Sequence, residues 1–482
     1  MATQEPEIDR NYFGLLQGAK AGALLKDLAR ERPSLKERLA AGRALRKSVT
    51  RESHGDWAPA ADRQDPVAVI TAQNASRVPS LVPVRHGRML ASPFAFLRGS
   101  AAIMAADLAP TPVTGLNVAA CGDMHVANFG LFASAERNLI FAINDFDEMH
   151  PGPWEWDLKR LAASAAVAAR FMGGDAKDGD EAVRKLVASY RRRIREYAEM
   201  PYLQVWYERI DDRSILKAIP SSIRKKAERI IAKARAKGHL RSLERMTEQV
   251  GGTHRLVEDI PLIVRETHDA QGRPITEAME VLFREYLGSL PEDRKRLLAR
   301  YRIMDVVRKT VGVGSVGTSC WVAYFQGLDS DDPLFLQVKE AGPSVLAPYA
   351  KSKLKVTNQG QRVVIGQRLT QGSPDIFLGW AKVGKRDFYV RQLADMKGGA
   401  SFDDGAESLR SFPEYCALCG WALALAHAKS GDAAAIAGYC GKSDELDEAL
   451  ARFARAYAVQ TEADHAALAR AAADGRIPVA QG

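Results

Sequence analysis

VGVGSVGTSCWVAYFQG, residues 311–327, is the stretch on which the fold turns. Gly312, Gly314 and Gly317 form G-x-G-x-x-G. In a dinucleotide-binding unit this string follows a strand and opens a helix. Here it runs into β-formers and aromatics, so strand–loop–strand is the natural reading. A glycine hairpin of this kind folds over nucleotide phosphates. Side chains would hold its backbone N–H groups away from the phosphate oxygens, and glycine removes that obstacle. Ser315 and Thr318 belong to the same expected phosphate loop.

Such a hairpin predicts a lysine two strands on. LFLQVKEA supplies Lys339, 22 residues after Gly317, with a polar turn at GLDSDDP between. Its ammonium is expected on the α- and β-phosphates. The plainer reading is a solubilising lysine on an edge strand. Glu340, its neighbour, should point to the opposite face.

The complementary half lies far upstream. CGDMHVANFG, residues 121–130, holds Asp123, His125 and Asn128, and Asp145 follows in AINDFDEMHPGP. Taken alone this is either a polar turn between strands or a metal and proton-transfer site. Asp123 and Asn128 have the D-x-x-x-x-N spacing in which the aspartate orients an acceptor hydroxyl and the asparagine holds a metal. Asp145-Phe146-Asp147 sits where a magnesium-binding D-F-G would be. Magnesium takes hard oxygen ligands and keeps several waters, so Asn128, Asp145 and Asp147 with phosphate oxygens would suffice. A zinc site built on His125 and His150 is the poorer alternative.

The 482 residues suggest two to four domains or lobes. Net charge is +9, which permits an acidic ligand and is equally served by a basic solvated surface. Basic helical runs at 15–52 and 224–241 read first as wet helix faces, without a strong nucleic-acid signal. The opening residues resemble no signal peptide, and the most apolar run, LAASAAVAA, is too short to span a bilayer. A cytoplasmic protein is expected. Five scattered cysteines argue against a disulfide framework, and Cys416 and Cys419 suit helix packing better than metal.

The expected division is a helical and extended extension at 1–110, with 53–80 as a polar connection. Next come the catalytic loop and helical body at 111–304 and a β-rich nucleotide-binding lobe at 305–400. Helices at 401–482 complete the body. Strands are expected near 116–121 and 138–143, and 179–300 is expected to be mostly helical. LVPVRHGRMLASPFAFLRGS is apolar but interrupted by Arg85, Arg88 and Arg98.

The strings RMLASPFAFLRG, CGDMHVANFG, INDFDEMHPGPWEWDLKRLAAS, VGVGSVGT, LQVKEA and YVRQLADMKG resemble the bacterial family named domain of unknown function 2252, over about residues 80–435. GDMHVANFG is also similar to the catalytic loop of the aminoglycoside and choline kinase-like phosphotransferases. That resemblance implies an α+β, bilobal, protein kinase-like fold with a helix-rich large lobe. It implies ATP and Mg2+ as cofactors, Asp123 as catalytic aspartate with His125 beside it, and Asn128 and Asp145 on the metal. Asp157 resembles the buried aspartate that props the catalytic loop, or is a helix N-terminal acid.

The order of parts departs from that family. The catalytic loop precedes the glycine loop, which implies a circular permutation. RQLADMKG would be the hinge, with Gln392 contacting the nucleotide, and CGWALALAHAKSGD would pack beside the catalytic loop. The helix expected in VTNQGQRVVIGQRLTQ has no acid to pair Lys339. Asp147 or Glu148 could serve instead, with Arg362, Gln367 and Arg368 in a different network.

The leading expectation is an ATP- and magnesium-dependent phosphotransferase acting on a small-molecule or protein acceptor. Nucleotidyl transfer needs the same cradle. A kinase-like binding module without turnover is the alternative from another class, and a metal-dependent hydrolase the third. The acceptor and the oligomeric state are not legible.

Overall fold

The computed structural model describes residues 28–29, 31–236, 239–269, 272–310, 312–351, 356–393, 398–400, 402 and 405–480. The 15–27 part of the first expected helix and residues 394–397 of the expected hinge lie outside them. The chain is α+β, with long helices and separate antiparallel sheets.

The strands are β1 Asn117–Ala120, β2 Phe129–Ala133, β3 Leu139–Ile143, β4 His150–Pro153, β5 Thr247–Val250 and β6 Thr253–Leu256. They continue with β7 Ile263–Val264, β8 Arg302–Lys309, β9 Cys320–Gln326, β10 Pro333–Ala341, β11 Gly379–Val383 and β12 Arg386–Gln392. Six of them make the main sheet in the order β11-β12-β10-β9-β8-β7. The β8–β9 connection is the glycine stretch, so it is strand–loop–strand. Lys339 sits on β10 in the interior of the sheet, directly across from Tyr389 on β12 and Cys320 on β9. An interior strand needs no solubilising lysine, and this one is 2% exposed.

The larger core is helical. Trp154–Phe171 and Ala176–Glu199 pack with Ala406–Ser430 and Glu445–Ala473 around Trp154, Tyr190 and Phe453. The helix Ala406–Ser430 crosses Ala176–Glu199 at Gly420, where a Cβ would lie 2.2 Å from the Leu186 carbonyl oxygen. A second core joins the main sheet to the helix Ile275–Ser289 through Leu282, Tyr286, Leu336 and Val390. The apolar packing of the sheet therefore draws on residues before 305.

One expectation on secondary structure is corrected, and the mostly helical 179–300 region, borne out, gains a detail. The 53–80 stretch is not an extended connection: Pro66–Asn74 is helical, with Asp65 capping the N–H groups of Val67 and Ala68 and proline in the first turn. Residues 179–300 are interrupted by the β5–β6 hairpin, turned by Gly251 and Gly252, both at positive φ. Cys416 and Cys419 are free and fully buried, which is core packing. Among the described residues no helix is long and apolar enough to cross a membrane.

Candidate functional site

The 121–130 stretch leaves β1, crosses a sharp turn at Gly122 (φ 75°) and re-enters a sheet at β2. Its shape is set from below by Asp157, on the first turn of Trp154–Phe171. The Asp157 carboxylate accepts the N–H of Cys121 at 2.6 Å and of Gly122 at 2.9 Å. His427 Nε2 lies 3.4 Å from the same carboxylate. Tyr415 donates to the Val126 carbonyl at 2.7 Å, and the Ala119 N–H donates to Ser430 Oγ at 3.1 Å. The helix Ala406–Ser430 thus lies against β1 and the loop.

Within the loop, Asn128 Nδ2 donates to the Asp123 carbonyl at 2.7 Å. That leaves the amide oxygen as an acceptor. Arg160, one turn beyond Asp157, donates to Asp123 Oδ1 through Nη2 at 2.5 Å and Nε at 3.0 Å. His125 is buried, with Nε2 3.9 Å from Asp123 Oδ2. Burial, with the charges of Arg98 and Arg160, pushes its imidazole well below the ordinary range, so it is neutral.

The two distant halves meet. Lys339 Nζ donates to Asp147 Oδ2 at 2.5 Å and lies 3.9 Å from Asp145 Oδ1. Tyr389 donates to the other Asp147 oxygen at 2.5 Å. Burial lowers the affinity of Lys339 for its proton, but Asp145 and Asp147 more than reverse this and hold it well above the usual lysine range. Burial raises both carboxyls. Asp145, beside Asp147, ends above the ordinary value, whereas the Lys339 ammonium and the Tyr389 hydroxyl bring Asp147 below it. Burial pushes Glu148 up to about 7, although it accepts the Val345 N–H at 2.7 Å.

Asp123, His125, Asn128, Asp145 and Asp147 line a cavity of about 340 Å³. Gly312, Gly314, Ser315 and Thr318 close it from the other side. A Cβ on Gly314 would lie 4.0 Å from Asp123 Oδ2. Ser315 Oγ is 3.4 Å from Asp147 Oδ2, and Thr318 Oγ1 donates to the Ser315 carbonyl at 2.8 Å. Gly312 and Gly317 have φ of 66° and 89°. Gly317 faces Arg77 rather than the cavity.

Three expected residues do not line the cavity: Gly317, Lys339, which reaches it only through Asp147, and Gln392. Gln392 pairs with Leu336, three positions along β12 from Tyr389 and on the other face of the sheet. Its N–H donates to Asp375, and it does not line the cavity. The acid-free helix is Gln359–Thr370. Its Arg362 donates to the carbonyls of Met149, Asp147 (2.8 Å) and Gly342 (2.8 Å), so it braces the acidic segment instead of pairing Lys339. Arg368 bonds the Leu378 carbonyl at 2.5 Å and Gln367 bonds Gln371 at 2.9 Å, both away from Lys339. Sequence reasoning missed Arg160 and Tyr389. Arg160 stood three residues after Asp157, on the same helix face, and Tyr389 stood in a strand whose register was not readable.

Asn128 and Asp145 offer hard oxygens at one cavity wall, in the company of a phosphate-loop geometry. Among the described residues no group of three or more His, Cys, Asp and Glu could hold a metal ion. A cation there would need ligand oxygens as well.

A model of a family described as an uncharacterised protein conserved in bacteria, domain of unknown function 2252, matches residues 77–471. The chain belongs to this family. The family span encloses every residue of the site, from Asp123 to Tyr389. No curated protein and no solved structure matches.

Proposed function

We propose that this protein is an ATP- and magnesium-dependent phosphotransferase with a circularly permuted, bilobal, kinase-like arrangement. One observation carries the reading: a glycine hairpin shares one cavity with an Asp–Asn–Asp set encoded almost two hundred residues earlier, and the buried Lys339 reaches that set through Asp147. Two further features support it. Asp157 props the loop by two backbone N–H groups, and the helix before that loop in space comes from the C-terminal part of the chain.

In this reading the 312–318 backbone and Lys339 hold the nucleotide phosphates, and Asn128 and Asp145 hold magnesium. The metal would neutralise charge on the phosphate oxygens as it develops. Asp123, fixed by Arg160 and by the Asn128 amide, orients the acceptor hydroxyl and takes its proton. The hydroxyl oxygen bonds the γ-phosphorus while the β–γ bridging bond breaks, and ADP leaves with that electron pair. His125 is neutral and walls the aspartate. Rate would come mainly from positioning and electrostatics.

A second reading, a nucleotide-binding module without turnover, has one specific support. Lys339 is held by Asp147, beside the metal aspartate, and not by a helix acid. The two readings separate in phosphorus NMR of the full chain with ATP and magnesium. Slow release of γ-phosphate to water or to the protein, lost in Asp123→Asn, supports the enzyme. Binding with no turnover supports the module, and the absence of any nucleotide binding removes both.

A further inference from the structure

One wall of the cavity comes from the segment before residue 100. There Pro66–Asn74, Val82–Leu90 and Pro93–Gly99 bring Arg77, Arg85 and Arg98 to one face. Each of these arginines has a buried Nε without a hydrogen-bond partner. Arg77 donates to the Val316 carbonyl at 2.5 Å. Arg85 is fully buried and donates to Asn74 Oδ1 (2.5 Å), Gln73 Oε1 (3.2 Å) and the Gly99 carbonyl (3.0 Å), all uncharged.

None of the three lies within ion-pair distance of a carboxylate among the described residues. Three acids of the same cavity, by contrast, have their own cations. Asp123 has Arg160, Asp147 has Lys339, and Glu340 has Arg386 at 3.7 Å. Asp123 and Glu148 act on Arg98 and Arg77 only from beyond ion-pair distance, and no acid acts on Arg85; burying cations with so little counter-charge is costly, and proteins keep such an arrangement where an anion completes it. Burial and the neighbouring charge of Arg77 push Arg85 down to about 9, the mark of an uncompensated site. A planar guanidinium with open N–H donors matches phosphate oxygens better than an ammonium does.

Position decides whose oxyanion it is. The Arg98 carbonyl lies 3.2 Å from where a Gly314 Cβ would be, and Asp123 Oδ2 lies 4.0 Å from the same point. The Asp123 carboxylate is also the charge that acts on the Arg98 guanidinium, which puts Arg98 beside the acceptor-side aspartate. We propose that Arg77, Arg85 and Arg98 form an oxyanion site for a phosphate group carried by the acceptor, so that the substrate is a phosphorylated alcohol. This rests on the phosphotransferase reading above.

The test is a calorimetric titration of the full chain with inorganic phosphate, without nucleotide and again after loading with magnesium and a non-hydrolysable ATP analogue. Phosphate should bind in both states. Arg98→Gln and Arg77→Gln should each weaken it by about ten- to a hundredfold, from the loss of a charged hydrogen bond. Lys382→Gln, which removes an exposed cation of β11 outside the cavity, should leave it within about threefold. Arg98→Lys keeps the charge without the fork and should fall between, which separates a binding loss from misfolding. No phosphate binding to wild type, undiminished binding in both arginine-to-glutamine variants, or displacement of phosphate by the nucleotide analogue would overturn the proposal. Phosphate binding that depends on the arginines, in a protein that binds no nucleotide, would keep the oxyanion site and remove the phosphotransferase reading.

Discussion

Lys339→Met removes the cation nearest two half-buried carboxylates, Asp147 and Asp145, on which Arg391 also acts. In the native protein Asp147 receives the ammonium at 2.5 Å and Asp145 lies 3.9 Å from it, with Lys339 itself 2% exposed. Methionine fills similar volume, so the packing loss is small and the uncompensated charge dominates. Breaking a buried pair from one side costs about 3–5 kcal/mol. The pH dependence follows from the two directions. With Lys339 present, the Asp147 carboxyl lies below its ordinary value and stabilises the fold above that value, a contribution lost as pH falls. Without Lys339, only the Tyr389 hydroxyl and Arg391 still favour the charged Asp147 against burial, so the carboxyl rises. The folded variant then prefers protonated Asp147 and loses stability as pH rises through the new value. The gap between wild type and variant is therefore widest above about pH 7 and narrows towards about pH 4. Urea denaturation followed by tryptophan fluorescence across that range measures it. Adding Asp147→Asn should restore roughly 2 kcal/mol of the loss, since the orphaned charge is gone. A Lys339→Met protein as stable as wild type at pH 8, or a double variant worse than the sum of the singles, would refute the pairing.

Asp157→Asn keeps one acceptor for the two N–H groups of Cys121 and Gly122 and turns an NH2 on the other. It should cost about 2–3 kcal/mol in the same denaturation assay and lower nucleotide turnover along with it. Glu148, raised to about 7, holds a proton in the fold that the unfolded chain has released, so it costs stability as pH climbs from its ordinary value to about 7. Glu148→Gln should match wild type below about pH 4.5 and be the more stable protein above about pH 7, read as the difference in thermal midpoint against pH. Gly438→Ala places a Cβ 2.2 Å from the Leu39 carbonyl oxygen, where helix Leu35–Ala44 crosses Ala433–Cys440. Backbone cannot yield as a side chain can, so the variant should lose about 1–3 kcal/mol and expose the 35–44 helix to limited proteolysis.

Much of the fold was legible where local chemistry is decisive. The strand–glycine–strand reading followed from aromatics after Gly317, and the β1 and β3 ranges followed from short apolar runs between polar turns. The helix Pro66–Asn74 was missed although Asp65-Pro66 is a good start signal, because the stretch around it is polar and carries no long apolar stripe. The β5–β6 hairpin was hidden in a helical region despite its Gly251-Gly252 turn. In the site, residue types at fixed spacing singled out Asp123, Asn128, Asp145 and Lys339. What spacing does not encode is which side chains from distant segments face each other. Arg85 and Arg98 stood out as charges in an apolar run, yet their common cavity depends on the crossing of three helices. Gln392 was misdirected by strand parity, which depends on the β10–β12 register.

The most direct measurement of the central claim is a crystal structure of the full chain soaked with magnesium and a non-hydrolysable ATP analogue. The account predicts phosphates between the 312–318 backbone and Asp145, a cation on Asn128 and Asp145, and Lys339 turned from Asp147 towards a phosphate oxygen. A nucleotide bound elsewhere, with Lys339 still on Asp147 and the cavity filled only by water, would contradict it.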